Sequence, residues 1–281
     1  MLKIAYASGL TGFIGRNFIS NLQSKYDLIL NFSRNKSVQI YNKDNCVTEK
    51  YSKSILSKYP SEIFFNLATY YQPLPEDNED LKALINANIF FSLNILEDIL
   101  SFNSDVKIVN TSSYMQLLPI CYQNQYSLSK EIFLKNAESK IKNIHNIYLF
   151  DSFGIGDTRN KIVDVFISRI LTGESISIPS NEVTINLSQV KDICLSLICS
   201  DNRSFGNYCI QSPFTLSLED LAKMLMEIIG NKVKIVRNNP VKNLYNEIKV
   251  FPENIFISNR KIDIYSDLKY LVNDHVKANY S

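Results

Sequence analysis

Tyr126 and Lys130 stand four residues apart in the segment YSLSK. On a helix that spacing puts both side chains on one face, one turn apart. A neighbouring ammonium favours phenolate over phenol and draws a tyrosine pKa down from about 10. Such a pair can exchange a proton with a carbonyl or alcohol oxygen. In a chain with 16 tyrosines the pair alone is cheap, and an exposed helix pair is its ordinary meaning. What precedes it adds weight. KIVNTSS at 107–113 reads as a strand, and ligands bind at the carboxyl ends of strands in open parallel sheets. Ser113, with Ser112 in reserve, could donate to the oxygen that Tyr126 protonates. The competing role for either serine is a local turn at the strand end.

A second cluster lies at the start of the chain. GLTGFIG at 9–15 places Gly9, Gly12 and Gly15 between a strand and a helix. Gly9 can take dihedrals closed to other residues, Gly12 lets backbone approach a pyrophosphate, and Gly15 permits close helix packing. The helix N-terminus then offers free N–H groups to the phosphates, with Thr11, Phe13 and Ile14 beside them. The tip of the next strand selects the cofactor. An NAD site carries Asp or Glu there. Here LILNF runs into Ser33 and Arg34 with no acid, and a guanidinium suits a 2′-phosphate. The pattern is read as NADPH over NADH, against Arg34 as a plain surface charge.

Apolar periodicity supplies the elements that hold these residues. Strands are expected at 2–7, 28–32, 38–41, 63–67, 106–110 and 144–150, and helices at 13–24, 49–58, 81–100 and 126–142. This alternation is the rhythm of an α/β fold, a Rossmann-like doubly wound parallel sheet. After Gly154 the pattern loosens. Helices are expected near 161–171, 192–200 and 218–229, then a strand near 232–236 and a terminal helix. The division is thus 1–160 as dinucleotide-binding domain and 161–281 as a smaller C-terminal substrate lobe, with segments crossing back to the sheet.

Composition narrows the classes. Thirty basic against 28 acidic residues, without a basic block, argue against a nucleic-acid partner. Five cysteines without a Cys-x-x-Cys pair, and only two histidines, point to reduced thiols in the cytoplasm and to no metal site. No apolar run reaches 18 residues, so no membrane span is expected.

Taken together, ASGLTGFIG at 7–15, NLAT at 66–69, Asn88 in the long helix, the Ser113–Tyr126–Lys130 set and FGIGDTR at 153–159 resemble the extended short-chain dehydrogenase/reductases of the NAD-dependent epimerase/dehydratase type. These enzymes act on nucleotide sugars. The resemblance implies that the glycine loop holds the pyrophosphate, that Tyr126 is proton donor or base, that Lys130 tunes it and binds the nicotinamide ribose, and that Ser113 orients the reacting oxygen. It extends cofactor contacts to Leu67, Ala68, Thr69 and Asn88, and it implies a homodimer built on the Tyr/Lys helix and the long helix before it.

NTSSYMQ at 110–116 and LFDSFGIGDTRNKI at 149–162 are similar to the CDP-abequose and CDP-paratose synthase branch. Gln116-Leu117 stands where most members have Tyr-Gly, and Asp151 where most have Asn; the branch shares the glutamine and the aspartate. That likeness implies NADPH-dependent reduction of a CDP-linked 4-keto-3,6-dideoxyhexose for O-antigen or other surface polysaccharide. Substrate contacts are then expected from Tyr70, Ser112, Ser113, Tyr114, Gln116, Asp151, Ser152 and Arg159. Arg159 could clamp the diphosphate; its competing role is a loop ion pair with Asp157. Dehydratases place Asp-Glu after the serine or threonine, where this chain has Tyr114-Met115. Two alternatives remain: an epimerase with tightly bound NAD, and a non-catalytic NADPH-binding sensor or scaffold.

Overall fold

The computed structural model describes residues 2–259 and 261–280. In chain order the elements are β1 (Ile4–Ser8), α1 (Phe13–Lys25), β2 (Leu28–Phe32), β3 (Ser37–Tyr41), β4 (Cys46–Lys50), α2 (Ser54–Lys58), β5 (Ile63–Asn66), α3 (Asn78–Ile85), α4 (Phe91–Phe102), β6 (Lys107–Ser113), α5 (Gln125–Lys140), β7 (Ile144–Leu149) and β8 (Asp151–Phe153). There follow α6 (Ile162–Thr172), β9 (Ile176–Pro179), β10 (Thr184–Ile185), β11 (Leu187–Gln189), α7 (Val190–Cys199), β12 (Gly206–Ile210), β13 (Leu216–Ser217), α8 (Leu218–Ile229), β14 (Ile235–Asn238), β15 (Glu253–Asn254) and α9 (Ile264–Tyr280).

One sheet has the order β15-β12-β7-β6-β5-β1-β2-β3-β4. All its pairings are parallel except β2–β3 and β3–β4. Its two faces are covered, as a parallel sheet requires. Phe18 and Leu22 of α1 and Ile193 and Leu197 of α7 pack on one side with Phe65, Val109 and Ile147. Ile95 and Ile99 of α4 and Phe133, Leu134 and Ala137 of α5 cover the other with Tyr6, Phe64 and Ile108. The fold is therefore the expected α/β doubly wound type.

The expected helix over 49–58 is largely replaced. Residues 46–50 form strand β4, and only Ser54–Lys58 are helical. The Asn42 side chain accepts from the N–H groups of Asp44 and Asn45 and turns the chain back on itself. Val47 and Thr48 then continue as an edge strand. The long helix over 78–102 contains a π turn at Asn86–Phe90. That helix is long and apolar enough to cross a membrane, a property that counting uninterrupted apolar residues missed. Here Leu84, Leu96 and Ile99 are buried in the fold.

Parallel register is pinned by a polar ladder inside the sheet. Ser8 donates to Asn66 at 2.8 Å, Asn66 to Asn110 at 2.9 Å, Asn110 to Asn146 at 2.8 Å and Asn146 to Asn207 at 3.0 Å. Each link joins neighbouring strands, so a slip by one residue would leave buried amides unpaired. β1 and β5 end together at Ser8 and Asn66, and β6 and β7 run three residues further, to Ser113 and Leu149.

Beyond residue 160 the chain does two things. Helices α6, α8 and α9 close a separate core with β9, including Phe166, Ile170, Ile176, Leu225 and Leu271. Helix α7 returns to pack beside α1, and β12 and β15 extend the large sheet.

Candidate active site

The carboxyl ends of these strands open onto a cleft of about 710 Å³. The glycine turn forms one wall. Gly9 has φ +79°, and a Cβ there would meet the Ala68 nitrogen at 2.6 Å. A Cβ on Gly15 would lie 2.2 Å from the Gly9 carbonyl oxygen. Both positions therefore demand glycine. Helix α1 starts at Gly12 without a side-chain cap and without an acid in its first turn. Its free N–H groups and dipole give an anion cradle. Thr11, Phe13, Ile14, Leu67, Ala68 and Thr69 also line the cleft, as the sequence suggested.

At the far end, Asn31, Ser33, Arg34, Asn35, Ser37, Gln39 and Thr48 form the wall. None is acidic. Arg34 is exposed there. Asn31, Gln39 and Thr48 were not legible as site residues: the strands at 28–32 and 38–41 were expected, but β4 and the antiparallel pairing that brings the three together were not. Asn31 accepts from the Leu10 N–H at 3.2 Å and donates to Gln39 at 2.8 Å, tying the glycine turn to this hairpin.

Ser113, Tyr126 and Lys130 line the same cleft. Asn124 caps α5 through the Ser127 N–H at 2.9 Å, which starts the helix at Gln125, one residue before Tyr126. Lys130 extends to β6 and donates to the Thr111 carbonyl at 2.8 Å. Burial draws its ammonium down to about 8. Tyr126 is also buried, which pushes the phenol up to about 12; a hydrogen bond with Thr69 and the charge of Arg159 partly offset this. The expected depressed tyrosine is thus corrected: burial outweighs the nearby charge, and Tyr126 is a neutral acid. Ser113 accepts from the Met115 N–H at 3.3 Å, which leaves its hydroxyl proton for a ligand. Ser112 also reaches the cleft but donates to Asn146 at 2.7 Å, so its hydroxyl belongs to the ladder.

Three expected contacts are not on the cleft wall. Asn88 accepts from the Tyr70 N–H at 2.7 Å and donates to the Tyr70 carbonyl at 3.1 Å and to Ser129 at 2.9 Å. The π turn aims this amide at backbone, so Asn88 fastens the 69–70 loop to α5 and has no amide group left for a cofactor. Tyr70 is the fastened residue, and Tyr71 supplies the cleft ring, edge-on to Tyr126 at 5.0 Å. Gln116 is buried beneath Ser113, with its amide bonded to the Ser113 N–H and to Glu131.

Tyr114, Phe150, Asp151, Ser152, Arg159 and Lys161 also line the cleft. Tyr114 stacks on Phe150 at 5.1 Å. Arg159 lies over the Phe13 ring and is engaged by Asp157 at 2.6 and 2.7 Å and by the Ser152 hydroxyl at 3.0 Å. Of the two roles read from sequence, the ion pair with Asp157 is present, and Arg159 also lines the cleft. Lys161, which sequence reasoning missed, sits 3.7 Å from the Tyr71 ring centroid. Asp151 is the only carboxylate on the cleft wall among the described residues. Burial pushes its carboxyl above the usual range, against the pull of Lys161 and Arg159.

A doubly wound sheet, a glycine cradle at a helix N-terminus and a Ser/Tyr/Lys set at the strand ends define a dinucleotide-binding α/β protein equipped for proton and hydride chemistry. Comparison with known proteins agrees. The model of the NAD dependent epimerase/dehydratase family matches residues 5–194, and the chain belongs to that family. It is 26% identical over 245 residues to a CDP-abequose synthase of Yersinia pseudotuberculosis, spanning 81% of this chain and 85% of that protein. Among solved structures it is similar to a UDP-glucose 4-epimerase of Thermotoga maritima with UDP-glucose, at TM-score 0.74 and 18% identity over 98% of this chain and 99% of that one. It is also similar to RMD from Pseudomonas aeruginosa complexed with NADPH, at TM-score 0.71 and 14% identity over 98% and 99%.

Proposed function

We propose that the protein is an NADPH-dependent 4-ketoreductase acting on a nucleotide-linked, CDP-type 4-keto-3,6-dideoxyhexose, in the making of a surface polysaccharide sugar. The observation that carries this reading is Tyr126, a buried phenol held protonated on the wall that also bears Ser113 and Lys130. A neutral phenol is the form needed to protonate a ketone oxygen. NADPH, when bound, supplies the hydride. Tyr126 gives its proton to the carbonyl oxygen as negative charge develops there. Ser113 donates a hydrogen bond to the same oxygen, and Lys130 adds positive potential beside it. Dehydration needs a further acid and base, and Ser113 is followed by Tyr114 and Met115.

The likeness to the CDP-abequose synthase supports the choice of substrate, and the acid-free wall with Arg34 supports NADPH. Lys161 on the cleft wall is a cation suited to a diphosphate. The exposed Phe90, Phe102 and Ile132 on the long helix and α5 support a homodimer through these helices. The five free thiols, two of them exposed, support a cytoplasmic location.

The deciding experiment is a screen of CDP-, dTDP-, GDP- and UDP-4-ketosugars with NADPH and NADH, followed at 340 nm. The expected result is oxidation of NADPH with the CDP sugar. Purified protein that carries bound NAD and interconverts nucleotide sugars would replace this reading by an epimerase. Tight NADPH binding with no turnover would replace it by a sensor.

A further inference from the structure

We infer that Gln116 is a positioning residue that sets Ser113 against the Tyr126/Lys130 helix, through an amide bridge to Glu131. The inference rests on the reductase reading for its catalytic consequence and on hydrogen-bond geometry for its physical content.

Ser113 is the last residue of β6, and the chain leaves the sheet immediately after it. A strand end has no following ladder bond to fix its direction. Here the Ser113 N–H donates to Gln116 Oε1 at 2.9 Å. The other end of the same amide, Gln116 Nε2, donates to Glu131 Oε2 at 3.0 Å. Glu131 follows Lys130 on α5, so the bridge joins the serine's backbone to the helix that carries the other two members of the set. Gln116 is itself held: Gln123 donates to the Gln116 carbonyl at 3.1 Å and to the Leu118 carbonyl at 3.0 Å. The Ser113 end of the bridge is buried, with Gln116 only 8% exposed, so that bond is shielded from bulk water, while Glu131 at the other end is half-buried.

The chemistry of the bridge is specific. One side chain must accept from an N–H and donate to a carboxylate. A carboxamide does both, an ionised carboxylate only accepts, and an aliphatic chain does neither. Relocating the charge tests this. Q116E faces Glu131 with a second carboxylate. In the Q116E/E131Q double variant the new amide at 131 donates to the carboxylate at 116, which still accepts from Ser113. The bridge is rebuilt with its polarity reversed.

The expected result with a turned-over ketosugar is a fall in kcat of about 10- to 100-fold for Q116E, as for a reacting group moved by a fraction of an ångström to an ångström. KM and the NADPH dissociation constant should stay within about threefold, because Gln116 is off the cleft wall. The double variant should recover most of kcat. Independently of activity, hydrogen exchange at the Ser113 amide should quicken at least about tenfold in Q116L, with the preceding β6 amides unchanged, and be slow again in the double variant. Wild-type Ser113 protection in Q116L, or a double variant no better than Q116E, would overturn the inference. If wild-type protein turns over no ketosugar, the functional reading fails, and the exchange measurement still decides whether the bridge holds Ser113.

Discussion

Lys130 reaches across from α5 to donate to the Thr111 carbonyl, 2.8 Å away and two residues before Ser113 on β6. Helix α5 and the strand that ends in Ser113 are thus joined twice, by Lys130 at Thr111 and by Gln116 between Ser113 and Glu131. The triad is built as one unit of strand, turn and helix.

Tyr126→Phe should remove the proton donor with little loss of packing, since the ring stays buried. Turnover of a ketosugar should fall by about 10² to 10⁴-fold. NADPH affinity, followed by fluorescence titration, should change by less than about threefold. Retention of full activity would refute the role given to the phenol.

Lys130 yields a pH prediction. Its folded pKa is about 8, so the ammonium is present below that pH and lost above it. Tyr126, at about 12, stays protonated throughout. Thus kcat/KM should fall above pH about 8 on a single alkaline limb. In the unfolded chain a lysine titrates near 10.4, so between the two values the unfolded state holds a proton that the folded state has shed. Stability from this group therefore rises with pH across that window. Denaturant unfolding of wild type and Lys130→Met at pH 7 and pH 10 should show the rise in wild type only; parallel behaviour of the two would exclude it.

Arg34→Ala should discriminate between the cofactors. A charge-assisted pair with a 2′-phosphate contributes about 1.5–3 kcal/mol, so NADPH should bind roughly 10- to 100-fold more weakly. NADH binding should be unaffected. Equal losses for both cofactors would show that Arg34 does not read the phosphate.

Glycine substitutions should rank by the space they have. Gly15→Ala places a Cβ 2.2 Å from the Gly9 carbonyl oxygen and 2.5 Å from the Leu10 Cα, so backbone must move. A loss of at least about 2 kcal/mol is expected, read as a lowered melting temperature. Gly12→Ala meets only the Gly9 oxygen at 3.3 Å, and its fold should survive better. A Gly15→Ala protein as stable as wild type would contradict the packing described for the turn.

Much of the fold was legible because its signals are local. Periodicity located β1, α1, β2, β5 and α5, and Leu218–Ile229 was bounded residue for residue. Its N-cap Ser217 and C-terminal Gly230 mark both ends in the sequence itself. The edge hairpin was legible only in its first strand, β3. Its turn is made by one asparagine side chain, and β4 is exposed throughout, so no apolar alternation marks it.

By sequence alone, the residue types and chain order settle which groups are available: three glycines at a strand–helix turn, no acid after β2, and a serine, a tyrosine and a lysine in order. These follow from steric and chemical limits on single residues and short spacings. Only the tertiary structure decided what each group is free to do. Asn88 and Gln116 carry the right chemistry for ligands, yet their amides are used on Tyr70 and Ser113, and Arg159 reaches the cleft already paired with Asp157. Lys161 and Tyr71 reach the cleft from loops with no periodic signal. Burial, which depends on packing from distant segments, makes Tyr126 an acid and lowers Lys130. Hydrogen-bond partners and desolvation are set by neighbours far apart in the chain, and no local pattern encodes them.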